Sequence, residues 1–197
     1  MDDNEKVVLG KLFPFNYAGK NGQFSCIVKT DIDSDDNFEG ALMGLSVGDE
    51  IAVKAGKRHL GVAAKYCDPI RSINLFACSM GIAPALQMTQ YFSRQSDLID
   101  SVDFLWINKE KNGFVCDDDV QDLDNKLGDK LKVSRFINAY LNDINVFESE
   151  DFMSTIPSYE YGRITVVCGP AVFVDVMKKI AQRKGFAPEN ILTIQTN

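Results

Sequence analysis

Two rhythms of apolar and polar residues divide the chain. From Val7 to about Lys65 apolar positions alternate with polar ones in short runs, QFSCIVKT (Gln23 to Thr30) and DEIAVKAG (Asp49 to Gly56). A period of two predicts half-buried antiparallel strands. SVGDEI (Ser46 to Ile51) predicts the turn that feeds the second strand, with Gly48-Asp49 reversing the chain. After Asp68-Pro69 the runs lengthen and the alternation stops. SINLFAC (Ser72 to Cys78) reads as a strand covered on both faces.

The elements that follow alternate in type. A helix is predicted from Pro84, then a strand over VDFLWIN (Val102 to Asn108). In DDDVQDLDNKLG, Asp117 is the expected cap, Val120, Leu123 and Leu127 line one face, and Gly128 ends the helix. LKV (Leu131 to Val133) predicts a short strand, after which Ser134 is expected to cap a helix carrying Phe136, Ile137, Tyr140 and Leu141. RITVVC (Arg163 to Cys168) is the fourth strand of this half. Pro170 then occupies the first turn of a helix whose Phe173, Val176, Met177 and Ile180 share one face, and Gly185 closes it. Pro188 to Asn190 turns the chain into ILTI (Ile191 to Ile194). Strands alternating with helices imply an α/β fold, a five-stranded parallel Rossmann-like sheet with helices on both faces. A small antiparallel β region precedes it, giving a division at residues 1–67 and 68–197.

Composition narrows the function. With 45% apolar and 25% charged residues, the chain has the make-up of a soluble globular protein. No apolar run reaches the roughly 18 residues of a transmembrane helix. The opening MDDNEK resembles neither a signal nor a transit peptide. A net charge of −7 argues against nucleic acid, which needs clustered Lys and Arg. The acidic runs DIDSDD (Asp31 to Asp36) and CDDD (Cys116 to Asp119) read as a solvated loop and a helix N-terminus. Five cysteines with no C-x-x-C pair point to buried thiols in a reducing compartment, cytoplasmic or plastid stroma, rather than to disulfides or zinc. His59 is the single histidine and sits in a polar setting that offers no catalytic triad and no metal cluster.

Two strand ends carry the candidate chemistry, CSMGIAP (Cys78 to Pro84) and CGP (Cys168 to Pro170). Each leaves a buried strand, turns at a glycine and enters a helix near a proline. In an open parallel sheet ligands bind at such carboxyl ends, where free N–H groups and the helix dipole attract an anion.

FACSMGIAPALQM followed by VVCGPAVFVDVMKKIAQRKGFAPENI resembles the NAD(P)-binding domain of the ferredoxin–NADP reductase family, which includes nitrate reductase and the cytochrome-b reductases. SVGDEIAVKAG is similar to the strand that ends that family's flavin barrel. The resemblance implies that Gly81, Ile82, Ala83 and Pro84, with Ser79 and Met80 before them, lie under the pyrophosphate of NAD(P). It places Cys168, Gly169 and Pro170 at the nicotinamide, with the Cys168 sulfur as the catalytic contact. The chemistry would be flavin-linked electron transfer between NAD(P)H and a one-electron carrier. For FAD the family uses R-x-Y-[ST]; the nearest run is KLFPF, with Lys11 for the arginine, Phe13 for the tyrosine and Pro14 for the hydroxyl residue.

The sequence departs from the family at these positions. Cys78 and Ser79 stand for loop glycines and Met80 for a threonine. Asn108-Lys109-Glu110 supplies neither a basic pocket for a 2′-phosphate nor a decisive Asp. The barrel is represented only in part, which leaves an open sheet edge and implies a redox partner or larger complex at residues 1–67. The alternative to an active reductase is a degenerate relative retained as a structural or binding subunit of an electron-transfer complex, photosynthetic or membrane-associated.

Overall fold

The computed structural model describes residues 10–16, 23–28, 38–54, 69–140 and 143–196. A short helix, α1 (Phe38–Met43), precedes the sheet. The sheet and its helices then follow in the order β1 (Ser72–Cys78), α2 (Ile82–Arg94), β2 (Ser101–Asn108), α3 (Asp117–Leu127), β3 (Leu131–Ile137), α4 (Ile144–Phe147), α5 (Glu150–Ser154), β4 (Arg163–Gly169), α6 (Ala171–Arg183) and β5 (Ile191–Gln195). The strands lie in the order β3-β2-β1-β4-β5, and every pairing is parallel.

The period of two explains both layers. Ile73, Leu75 and Ala77 of β1 join Val102, Phe104 and Trp106 of β2 beneath Leu86 and Phe92 of α2 and Leu123 of α3. The intervening Phe76, Cys78, Leu105 and Ile107 face the other way, against Phe147, Phe152, Phe173 and Met177 of α4, α5 and α6. β1 and β4 are buried at every position, as their apolar runs require. The amino edge of the sheet is closed by Arg163. Its guanidinium donates to Asp103 Oδ2 at 2.7 Å, to Asn74 Oδ1 at 2.8 Å and to Glu160 Oε1 at 2.7 Å.

The sheet differs from the sequence reading at its edge. β3 does not stop at Val133 for Ser134 to cap a helix. It continues to Ile137, because Arg135, Phe136 and Ile137 pair with Trp106, Ile107 and Asn108. Sheet pairing on one side outweighs the helical spacing of Phe136, Ile137 and Tyr140; Leu141 lies outside the described residues. At α3 the N-cap is Cys116 with φ 64°, not Asp117, whose carboxylate bonds to Arg135 Nε at 3.0 Å instead. The helix predicted from Pro84 starts earlier, at Ile82.

In the β region, Pro14 and Cys26 form an antiparallel bridge, and the N–H of Phe15 donates to Ser25 O at 3.0 Å. Asp49 to Lys54 of the second predicted strand is in no strand and is exposed. Ile51 and Val53 meet no pairing strand among the described residues, so their alternation has nothing to act on. The remainder of both predicted strands, and His59, lie outside the described residues.

Candidate functional site

β1 and β4 are neighbours, but the chain leaves β1 towards β2 and leaves β4 towards β5. The two connections diverge and open a crevice at the carboxyl edge, the place where such sheets take ligands. Both candidate loops lie there, and they interlock. A Cβ on Gly81 would overlap the carbonyl of Cys168 and stand 2.8 Å from Gly169 N. A Cβ on Gly169 would meet Phe173 Cδ1 at 2.8 Å and Cys78 O at 3.2 Å. The glycines are therefore required by close approach of one backbone to the other.

Hydrogen bonds tie the remaining strand ends into the same edge. Thr196 N donates to Gly169 O at 2.9 Å, and Asn138 N to Asn108 O at 2.8 Å. Ser79 N donates to the side-chain Oδ1 of Asn108 at 3.2 Å. α2 and α6, each of 13 residues, then point their positive ends at the crevice. Among the described residues, three buried polar atoms at this edge have no partner: Asn108 Nδ2, Asn138 Nδ2 and Thr196 Oγ1. A polar ligand or ordered water would satisfy them.

The predicted site residues divide by role. Ile82, Ala83 and Pro84 are buried, so they shape the loop from beneath. Ser79, Met80 and Pro170 are half-buried at the same two strand ends. Cys168 is fully buried, and burial pushes its thiol well above the ordinary range. Burial pushes the Cys78 thiol up to about 12, opposed in part by the charge of Lys109. Neither is a thiolate near neutral pH, so neither serves as a nucleophile. The carbonyl of Cys168 is the part that meets Gly81.

Lys11 and Phe13 meet Met80 and Thr196 around a pocket of about 90 Å³, which Phe38 and Glu39 of α1 also line. The phenyl ring of Phe38 packs directly on Gly10. Ligand sites ordinarily measure ~300–1,000 Å³, and here a carboxylate, Glu39, shares the wall with Lys11, the one cation among the described lining residues. The amino ends of α2 and α6 at the switch point suit an anionic group such as a pyrophosphate. As bounded by the described residues this pocket is too small to enclose FAD, and no step is assigned to a flavin held by it.

Asn108, Asn138 and Thr196 are the residues that periodicity passes over. Their signal in the sequence is a polar residue closing an apolar strand, as in VDFLWIN. Among the described residues no helix is long and apolar enough to cross a membrane.

No protein-family model matches the chain. NADH-cytochrome b5 reductase 1 of Candida albicans is 20% identical over 185 residues, which cover 92% of this chain and 61% of that protein. The enzyme of the same name from Lodderomyces elongisporus is 22% identical over 185 residues, 92% of this chain and 60% of its own length. The chain thus spans about three fifths of these curated relatives. Among solved structures, the cytochrome b5 reductase domain of Ulva prolifera nitrate reductase gives a TM-score of 0.67 at 18% identity, covering 87% of this chain and 70% of that one. Ferredoxin-NADP+ reductase from Plasmodium falciparum gives 0.61 at 9% identity, covering 94% and 81%. The fold is that of the ferredoxin–NADP reductase family.

Proposed function

We propose that this chain binds NAD(P)H at the β1–β4 switch point and serves flavin-linked electron transfer to a one-electron carrier. The observation that carries this reading is the interlock of Gly81 with the Cys168 carbonyl, which brings both loops to one crevice beneath two helix N-termini. The names of the curated relatives support an NADH-linked reaction and a haem protein such as cytochrome b5 as acceptor. NAD(P)H would supply the electron pair. The Met80–Gly81 turn and the amino end of α2 would hold its pyrophosphate, with Ser79 setting the course of that turn, and Gly169 and Pro170 would bound the nicotinamide end. A reducing compartment, cytoplasm or plastid stroma, suits the free thiols of Cys26, Cys78, Cys116 and Cys168.

The flavin would be supplied beyond the pocket at Lys11 and Phe13. Those two residues would then border the flavin, and residues 1–67 would contact the protein or complex that carries it. Calorimetric titration with NADH and with NADPH tests the nucleotide half. Addition of FAD, with the visible flavin band and its bleaching by nucleotide as the readout, tests the electron-transfer half. Binding of either nucleotide supports the site; absence of binding in folded protein removes it.

A second reading is favoured by one observation, the small pocket in which Glu39 stands beside Lys11. On that reading the chain is a structural or binding subunit of an electron-transfer assembly. It predicts no flavin uptake, no turnover with an artificial electron acceptor, and partners recovered through residues 1–67.

A further inference from the structure

The loop after β1 holds one residue in a conformation that its side chain opposes. Ser79 has φ 51°, in the left-handed region that disfavours residues bearing a Cβ. Glycine would sit there freely. The backbone N–H of Ser79 donates to Asn108 Oδ1 at 3.2 Å, a bond that crosses from the end of β1 to the end of β2.

Asn108 is a fixed post. It is 4% exposed, it pairs with Ile137 across β2 and β3, and its carbonyl accepts from Asn138 N at 2.8 Å. The loop after β2 closes over its side chain, since a Cβ on Gly113 would lie 3.1 Å from Asn108 Cβ and Cγ. Its Nδ2 is buried without a partner. An apolar residue of similar size would fill the same space without burying an unpaired donor, which carries a stability cost. What the amide adds is the Oδ1 bond to Ser79.

We propose that Asn108 is a positioning residue for the nucleotide loop. It holds Ser79 left-handed and so directs the Met80–Gly81 turn onto Cys168 and into α2. Its effect on ligand affinity rests on the NAD(P) reading above; its effect on loop conformation does not.

The test compares wild type with Asn108→Ala, Ser79→Gly, the double variant and Asn108→Asp. Hydrogen exchange of the Ser79 amide is read together with NADH and NADPH affinity by calorimetry. Asn108→Ala is expected to speed Ser79 exchange about tenfold and to weaken the preferred nucleotide roughly five- to tenfold. Adding Ser79→Gly is expected to restore affinity to within about twofold, because glycine needs no tether at positive φ. Asn108→Asp keeps the acceptor and is expected to keep exchange slow, which serves the test if the alanine variant does not fold.

Unchanged exchange in Asn108→Ala, or fast exchange in Asn108→Asp, overturns the proposal. So does lost affinity that Ser79→Gly fails to recover, which would mean that Asn108 acts on the ligand or the fold directly. If wild type binds neither nucleotide, the proposed function falls and the exchange arm alone decides the role of Asn108.

Discussion

Gly81 lies against the main-chain carbonyl of Cys168 with no room for a side chain between them: a Cβ there would overlap that carbonyl and come within 2.8 Å of Gly169 N. The glycine is not needed for its dihedral angles, which are right-handed helical (φ −62°, ψ −14°). It is needed because two strand ends must touch for their helices to share one crevice.

Gly81→Ala should therefore destabilise the fold by about 1–3 kcal/mol, since the atoms it strikes are backbone and cannot rotate away. Gly169→Ala should cost less, because its nearest contact is the edge of the Phe173 ring at 2.8 Å. Urea midpoints of the two variants check the order. Nucleotide affinity should fall with Gly81→Ala even in folded protein, because the loop is displaced from the β4 end.

At the opposite edge, Arg163→Ala should cost about 3–5 kcal/mol, as it strips the partner from the nearly buried Asp103 and from Asn74. Arg163→Met combined with Asp103→Leu should recover most of that loss, since the one carboxylate left without its partner, Glu160, is exposed to water. Denaturant titration measures both. Nucleotide affinity of the folded fraction should be unchanged, because the network sits at the amino ends of the strands.

Trp106 is wholly buried, packed on Phe104 (6.2 Å, 14°) and on the edge of Phe114 (4.9 Å), with Nε1 unpartnered. Trp106→Phe removes an orphan donor along with some packing. These effects oppose each other, so stability should stay within about 1 kcal/mol of wild type. Trp106→Ala, which loses the packing without a filling ring, should cost about 3–5 kcal/mol. Circular dichroism melts of the variants decide this, because the single tryptophan is the fluorescent probe.

The residues most readable from sequence are those whose environment is uniform. β1 and β4 are covered on both faces, so unbroken apolar runs identify them; α6 shows one apolar stripe because one face is covered. β3 is harder to read because it is an edge strand. Its burial is partial, and Ser134 to Ile137 carries spacing that suits a helix until β2 pairs with it. At the site, glycine positions are visible in the loop motifs. The partner of Ser79 is not, because that bond joins residues 29 apart and depends on strand order. Glu39 in the wall of the Lys11 pocket is equally invisible, as it arises from α1 folding back on Gly10 and Met80.

The buried thiols should make the fold sensitive to alkaline pH. Burial raises Cys78 from 9.0 to about 12 and raises Cys168 as well. In the unfolded chain each thiol ionises near its ordinary value, while in the folded chain each keeps its proton. Below about pH 9 both states are protonated and the stabilisation is complete. Above it the unfolded state binds fewer protons, so stability falls as pH rises towards the folded value, by about 1.4 kcal/mol per unit for each such thiol. Denaturant midpoints from about pH 8 to about pH 11 should show this decline in wild type. Cys78→Ala and Cys168→Ala should each make it shallower. In native protein at mild pH a thiol reagent should label Cys26 and Cys116, which are only half-buried, well before Cys78 or Cys168. Peptide mapping of the labelled chain reads that order, and prompt native labelling of Cys168 would place its sulfur in the open crevice rather than in the core.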